Sequence, residues 1–488
     1  MPLISKNFRR TKIVCTIGPS SNTPRMIERL VYAGMDCARL NFSHGTHTEH
    51  LKVITLVRKA SKKLRNQITI IQDLPGPKIR VGKLKDNLLY LKKGSVLTFT
   101  SEEHVDGSNG RIPITYPNLG RYVPRGAAVF LADGSIRLRV INSRDDEIRC
   151  VCETGGELMS EKGVNIPQLG HDFETFTDAD KQHLSFGLDH GVDMVAVSFV
   201  RKARDIEKVK DFSSRNRSEN RPSIIAKIEK KEAVDNIEEI VDASDAVMVA
   251  RGDLGVENPI EEVPIIQKSV ISASKRKAKP VITATQMLES MVLNSAPTRA
   301  EVTDIANAIF DGTDAVMLSE ETAMGKFPIE CVRVLNRVAL VTEEKMLSDP
   351  RRNGDVSNHT SLRDPGDSLS EASFQISQQL NATLVAAPSA LGTIAAKISR
   401  FRPKAPIIAL TDSERKLRQL RLVWGAFPRL IESTKSLNQL LDVSVGALVK
   451  DNLVRRGDRL VIVCDNIELS KETGGLLFVV EARNRKTM

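Results

Sequence analysis

Short, nearly continuous apolar runs alternate with stretches of helical periodicity over the first 82 residues. TKIVCTIGP from Thr11, CARLNFS from Cys37 and ITIIQDL from Ile68 read as strands, with helices between them at Thr23–Ala33 and Thr48–Leu64. The alternation resumes from about 173 to 345, with strand-like MVAVSFV, SIIAKIE, AVMVARG, PVITATQ and AVMLSEE. Three strands and five make eight, each followed by a helical stretch, which predicts a (β/α)8 TIM barrel in two pieces, 1–82 and 173–345. The strands stay apolar until their C-terminal ends, as strands buried on both faces do. Polar residues gather at those ends: Arg39, Asn41, Ser43, Asp73, Ser198, Lys227, Glu229, Asp253, Thr285 and Ser319. Active sites of this fold sit on that face.

Between 83 and 172 the pattern changes to short strands punctuated by Gly, Pro and Asp-Gly. AAVFLADGSIRLRVINSRDDEIRCVCE predicts a hairpin through Asp133-Gly134, a second turn at Asn142–Asp146 and a further strand. This is expected to be a small β domain inserted after the third barrel strand, placed to close over the barrel mouth. Residues 346–366 are polar and turn-rich and read as a linker. From 367 to 488, helix 367–380, strand 383–387, helix 391–401 and strand 405–411 predict an α/β domain with a mostly parallel sheet.

Composition adds limits. A 488-residue chain exceeds one ordinary core and fits roughly three domains. With 41% hydrophobic and 27% charged residues it is neither disordered nor membrane-like, and no apolar run approaches the ~20 residues of a spanning helix. The N-terminal stretch lacks the pattern of a secretion signal, so a cytoplasmic location is expected. The net charge of +10 raises nucleic acid as a partner, but aromatics are only 4% with one Trp, too few for stacking platforms. Phosphate-bearing and carboxylate ligands explain the charge better, so neither nucleic acid nor membrane is expected as a partner. Six cysteines are scattered; Cys150 and Cys152 share a strand face with Ile148 and read as core residues rather than a metal site.

Lys227 and Glu229, two apart at a strand end, point to one side, into the barrel mouth. Such a pair met in isolation is more often a structural ion pair. The next strand brings Arg251, Gly252 and Asp253 to similar height, so Glu229 and Asp253 can share one Mg²⁺ and Lys227 can face charge on a transferring phosphoryl group. Gly252-Asp253-Leu254-Gly255 is a sharp strand-to-helix turn whose N–H groups suit an anion, with Thr285 adding a hydroxyl. Arg39, Asn41 and Ser43 alternate onto one face, and Asp73 and Arg80 bracket LPGPKI; an arginine fork suits phosphate. The His44, His47 and His50 spacing invites zinc, but the third histidine is poorly placed on a shared helix face.

TKIVCTIGP, ARLNFSHG, KGVNIP, AKIE, MVARGDLGVE, ATQMLESM and PTRAE followed by DGTDAVMLS occur in order, and the set resembles the motifs of the pyruvate kinases from about residue 10 to the end. The resemblance implies transfer of a phosphoryl group from phosphoenolpyruvate to ADP, with Mg²⁺ or Mn²⁺ as cofactor, in a homotetramer. It implies Arg39, Lys227 and Thr285 as catalytic residues and Arg39, Lys227, Gly252, Asp253 and Thr285 as substrate contacts. Glu229 and Asp253 are implied metal ligands, and Asn41, Phe42, Ser43, His44, Arg80 and Lys162 nucleotide contacts. The same resemblance puts Asn41, Ser43, Asp73 and Leu74 around a monovalent cation, and has the enolate protonated through Thr285 and ordered water.

Lys78, two C-terminal loops and Glu320 depart from the family pattern. Lys78 stands where the potassium-requiring members have a glutamate; a fixed positive charge there resembles the potassium-independent branch, so K⁺ is not expected to be required. The stretch Ser389–Ile394 lacks two hydroxyls of the family's effector-phosphate loop, and the later loop from Asp465 to Gly475 is also altered, so a sugar-bisphosphate effector is not expected there. Glu320 follows Ser319 where many members have Gly or Ala. Two competing readings are a Mg²⁺-dependent barrel lyase acting beside a carboxylate, and a catalytically silent binding protein. The first need not carry the two extra domains, and the second would not need the intact set of site residues.

Overall fold

A computed structural model of the chain describes residues 9–482, apart from 78, 103, 133, 168, 170–173, 217–220, 349–363, 390–391, 435 and 470–471 and the side chains at 216, 466–469 and 472–473. Lys78, Asp133, most of the expected linker and part of the stretch Ser389–Ile394 therefore lie outside the described residues.

The barrel is closed and parallel. Its strands are β1 (Lys12–Thr16), β2 (Cys37–Asn41) and β3 (Thr69–Asp73) from the first piece of chain. The inserted domain then supplies β4 (Leu88–Leu91), β5 (Val96–Thr100), β6 (Arg111–Pro113), β7 (Ala128–Leu131), β8 (Ile136–Arg144), β9 (Glu147–Thr154), β10 (Gly156–Met159) and β11 (Val164–Asn165). The barrel continues with β12 (Met194–Val197), β13 (Ser223–Ile228), β14 (Ala246–Ala250), β15 (Val281–Ala284) and β16 (Ala315–Leu318). Around the ring the order is β1-β2-β3-β12-β13-β14-β15-β16, with β16 pairing back to β1. Pairing of Asn41 with Asp73 and of Ile228 with Val249 fixes the relative heights of the strand ends.

Alternation along each strand sorts the barrel into two layers. Val14, Cys37, Ile71, Ala196, Ile225, Met248 and Met317 form one buried cluster inside the ring. Ile13, Ala38, Ile70, Val195, Ile224 and Val247 join the layer under the helices. Two residues beyond the inner set, on the same face, come Arg39, Asp73, Ser198 and Lys227. Hydrophobic packing of the interior thus carries four polar side chains to one height at the top of the barrel. The helix expected from Thr48 starts at His47, because Thr46 and Glu49 form a capping box in front of it.

The inserted domain is a six-stranded sheet, β11-β7-β8-β9-β5-β6, beside the pair β10-β4. Both enclose one core that runs from Ile79 and Val81 to Ile166 and includes Cys150 and Cys152. The β7–β8 hairpin turns where expected, with Leu131 opposite Ile136 and Gly134 in the left-handed region at φ +89°. All six cysteines are buried with free thiols.

In the C-terminal domain β17 (Leu384–Pro388), β18 (Ile407–Thr411), β19 (Arg429–Leu430) and β20 (Arg459–Leu469) run parallel, and β21 (Glu472–Glu481) is antiparallel at the edge. This domain is joined to the N-terminal face of the barrel by a repeated device. An aspartate stands immediately before β2, β12 and β16, and an arginine of the C-terminal domain holds each one: Asp36 with Arg421 at 3.0 Å, Asp193 with Arg418 at 2.7 Å, Asp314 with Arg402 at 2.9 Å. Leu422 joins the apolar cluster of the barrel interior. No helix among the described residues is long and apolar enough to cross a membrane.

Candidate active site

Asp73 lies under the mouth of the barrel between two cations. Its Oδ2 accepts from Arg39 Nε at 2.7 Å and its Oδ1 stands 3.2 Å from Lys227 Nζ. Lys227 also meets Glu229 Oε1 at 2.8 Å and donates to Ser198 Oγ at 2.7 Å, and the Ser198 hydroxyl donates in turn to the Leu74 carbonyl at 2.7 Å. Arg39 is steadied from the other side by Thr16 Oγ1 at 3.0 Å. Burial works against the Lys227 ammonium, but Asp73, Glu229 and Asp253 outweigh it and hold its pKa above the ordinary lysine value. The same cations hold Asp73 below the carboxylate range against its burial. Lys227 is therefore a fixed positive charge, with no tendency to act as a base.

Glu229 behaves differently. Burial raises its carboxyl above the usual value, Lys227 opposes this, and the nearby Asp253 carboxylate raises it further. Its Oε2 accepts the Phe199 N–H at 2.8 Å, with Phe199 in the left-handed region at φ +58°. Gly76 makes room for that turn: its own φ is +64°, and a Cβ there would come within 2.8 Å of the Phe199 ring. Asp253 is exposed to the cleft. A buried and an exposed carboxylate lining one cleft are hard oxygen donors suited to a divalent cation, whose charge would offset the burial that raises Glu229. No cluster of three metal-capable side chains occurs among the described residues, so a cation there would complete its shell with water and substrate oxygens.

Thr285 has φ +66° and Gln286 φ +57°, both left-handed. Arg251 holds this segment by donating to the Ala284 carbonyl at 3.2 Å and the Thr285 carbonyl at 2.5 Å while pairing with Asp304 at 2.6 Å. Arg251 thus turns away from the cleft. The Gly252 N–H donates to Thr285 Oγ1 at 2.9 Å, and that hydroxyl donates to the Ala284 carbonyl at 2.7 Å. The two groups expected to receive substrate are each other's partners.

A cleft of about 290 Å³ opens between the barrel top and the inserted domain. Glu229 and Asp253 line it from the barrel, Arg80, Lys162 and Gly163 from the inserted domain and its entry, and His44 from the end of β2. The inserted domain is tied down at its edge: Lys230 pairs with the buried Glu257 and reaches Asn165 Oδ1 of β11 at 3.4 Å.

Family models fit both halves of this architecture: one described as pyruvate kinase, barrel domain, over residues 8–332, and one as pyruvate kinase, alpha/beta domain, over 367–474. The chain belongs to the pyruvate kinase family. A pyruvate kinase of Thermococcus litoralis is 40% identical over 95% of this chain and 97% of its own length. One from Geobacillus stearothermophilus is 42% identical over 93% of this chain, which matches 77% of that relative. The crystal structure of a pyruvate kinase from Cryptosporidium parvum superposes with a TM-score of 0.89 at 34% identity, covering 97% of this chain and 96% of that one.

Within this pyruvate kinase fold the site residues named from sequence do not all converge. Arg39, Asp73 and Lys227 are in direct contact, and Glu229, Asp253, Arg80, Lys162 and His44 face one cleft. Asn41 Oδ1 caps the turn by accepting from the Ser43 N–H at 3.2 Å. The Phe42 side chain does not face the cleft; it is buried, stacked on His50 with ring centres 3.9 Å apart and near Phe186. His50 Nε2 meets the His44 carbonyl at 3.0 Å, and His47 pairs with His183 at 2.8 Å. Leu74 is buried and its carbonyl is taken by Ser198. Glu320 is exposed at the start of Glu320–Ala323, whereas the buried Glu321 accepts the Ser319 and Leu288 N–H groups at 2.6 and 3.1 Å. Sequence reasoning missed Ser198 and Thr16 as partners of Lys227 and Arg39 and the Lys230–Glu257–Asn165 contact. Ser198, already named at its strand end, could have been assigned to that contact by its parity with the inward-facing Ala196.

Proposed function

We propose that this chain transfers the phosphoryl group of phosphoenolpyruvate to ADP, giving pyruvate and ATP. The observation that carries the proposal is the contact of Arg39 and Lys227 with the shared carboxylate Asp73, beside Glu229, at the head of the barrel. Two fixed cations at that point suit a phosphoryl group that arrives with negative charge and spreads it over its oxygens during transfer. Glu229 and Asp253 would hold Mg²⁺ or Mn²⁺, which when bound supplies charge neutralisation at phosphate oxygens and orients the two substrates. Lys227, kept protonated by its carboxylates, stabilises the migrating group and does not accept its proton. Gly252 and Thr285 are proposed to release one another and take the substrate carboxylate. Thr285, whose hydroxyl hydrogen is directed to a backbone carbonyl, is an orienting group, with the enolate carbon protonated through water it positions.

The finer readings are proposals of the same kind. Asn41, Ser43, His44, Arg80 and Lys162, with Phe42 acting only through its backbone, would contact the nucleotide, the last two across the cleft from Glu229. Lys78 would replace a bound K⁺; in support, both oxygens of Asp73 already face cations, and the Leu74 carbonyl already accepts a hydrogen bond. A homotetramer and a cytoplasmic location accompany this reading.

The test is a coupled measurement of ATP formation from phosphoenolpyruvate and ADP. Turnover should be abolished by a chelator, restored by Mg²⁺ or Mn²⁺, and reduced about 10³-fold in Lys227→Met. Turnover indifferent to chelation, or a fully active Lys227→Met, would overturn it.

A further inference from the structure

Lys230 follows Glu229 directly and occupies the N-cap position of the helix Lys231–Asp235, where its side chain makes no capping hydrogen bond. Ser, Thr, Asp and Asn suit that position, and a cation at a helix N-terminus opposes the helix dipole. Lys230 therefore works against its own helix, and its partners lie elsewhere in the fold. Its ammonium pairs with Glu257, the last residue of the helix Arg251–Glu257, and stands 5.3 Å from the centre of the Phe199 ring. It also reaches Asn165 Oδ1 on β11 at 3.4 Å. Both charges of the pair are withdrawn from solvent, the Lys230 side chain being 8% exposed and that of Glu257 1%.

Each member of the pair is tied to one of the two carboxylates assigned to the divalent cation. Lys230 is the neighbour of Glu229 in sequence, and the ring under its ammonium belongs to Phe199, whose N–H holds Glu229 Oε2 at 2.8 Å. Glu257 lies four residues, about one turn, beyond Asp253 on the same short helix. Glu229, Lys230, Asp253 and Glu257 all line the cleft. Register between β13 and β14 fixes the heights of the two strand ends, with Ile228 opposite Val249, but not the gap from the end of β13 to the helix that follows β14. The ion pair spans that gap. A buried ion pair is commonly no more stabilising than apolar residues of the same volume, so folding alone gives no reason for two charges here.

We propose that Lys230 and Glu257 are positioning residues for the divalent cation: their pair holds the helix carrying Asp253 at the distance from Glu229 at which both carboxylates reach one ion. This deepens the phosphoryl-transfer reading and rests on its metal site. The pair acts by geometry and not by charge. Through space alone the Lys230 ammonium repels a divalent cation and the Glu257 carboxylate attracts it, and the two effects nearly cancel. Loss of the clamp lets the two ligands drift apart, and supporting groups of this kind are worth about ten- to hundredfold in metal affinity.

The experiment is titration of the full chain with Mn²⁺ in the absence of substrates, with free Mn²⁺ read by electron paramagnetic resonance. The unaltered protein should bind saturably, and Asp253→Asn should lose the ion. Lys230→Met/Glu257→Gln removes one charge of each sign and orphans neither, and it should weaken binding about tenfold. Lys230→Met alone should also weaken binding, whereas relief of through-space repulsion would tighten it. Unchanged affinity in the double variant, or tightening in Lys230→Met, while Asp253→Asn still loses the ion, overturns the clamp and leaves the metal site standing. No binding to the unaltered protein, or binding indifferent to Asp253→Asn, overturns the metal site and the clamp with it. Should the double variant fail to fold, Lys230→Gln, which keeps a hydrogen-bond donor toward Glu257, replaces it. Weaker binding in that variant supports the clamp, and equal or tighter binding refutes it.

Discussion

Asp73 Oδ1 stands 3.2 Å from Lys227 Nζ, a contact between two barrel strands separated by more than 150 positions in sequence. Because Arg39 occupies the other oxygen, Asp73 sets the spacing of both cations without itself facing the cleft. Asp73→Asn is expected to lower kcat by about 10²-fold, since two charges lose their common anchor. Asp73→Glu should recover part of that loss, whereas a merely structural role would predict no difference between the variants once both are folded. Steady-state kinetics on the purified variants decides.

Ser198 gives a finer probe of the same assembly. Its hydroxyl accepts from Lys227 and donates to the Leu74 carbonyl, both at 2.7 Å. In Ser198→Ala the ammonium loses one of its acceptors but keeps both carboxylates. A loss of about 1 kcal/mol of positioning, roughly a fivefold fall in kcat, is expected. Unfolding curves should change little, and an unchanged kcat would remove Ser198 from the site.

The clasp between the domains predicts acid sensitivity. Asp36 is buried, which alone would raise its pKa, yet Arg9 at 2.7 Å, Arg421 at 3.0 Å and Lys12 bring it below the ordinary aspartate value. A depressed carboxyl contributes stability that is complete above its unfolded pKa of about 3.9 and lost as pH falls through the folded value. Arg421→Met weakens that depression, so acid unfolding should move to higher pH. The cost at neutral pH should stay below the roughly 3–5 kcal/mol of a fully orphaned buried charge, because Arg9 remains. Denaturant titrations across the acid range measure both effects.

Lys78 yields a prediction from chemistry of sequence. On the proposed reading, a fixed ammonium in place of a carboxylate would take over the charge of a bound monovalent cation. The initial rate should be the same in K⁺-free buffer and with added KCl, and Lys78→Glu should create a KCl requirement. A rate that collapses without K⁺ in the unaltered protein contradicts this reading.

How much of this was legible beforehand differs by element. The eight barrel strands were readable because β1, β14 and β16 carry apolar residues on both faces, whereas the capping box at Thr46 went unread and its helix was placed one residue late. Lys227 and Glu229 could be assigned to one side by their spacing of two. The burial of Phe42 was not readable, since its partners His50 and Phe186 belong to different helices brought together only by the closed ring. Nor could spacing show that Arg251, beside two expected site residues, turns its fork back to hold Thr285.

Sequence by itself determined which faces are apolar, and so the barrel, the inserted β domain, the α/β domain and the strand ends at which polar residues collect. Those are local quantities: a period of two or 3.6 residues and a capping side chain act within one turn or strand. The tertiary structure decided which polar groups share a charge. That Asp73 serves Arg39 and Lys227, that Gly252 and Thr285 satisfy each other, and that Lys230 meets Glu257 and Asn165 follow from strand register and domain docking. Coulomb attraction and hydrogen bonding depend on distances of a few ångströms, and those distances are set only when segments remote in the chain are packed together.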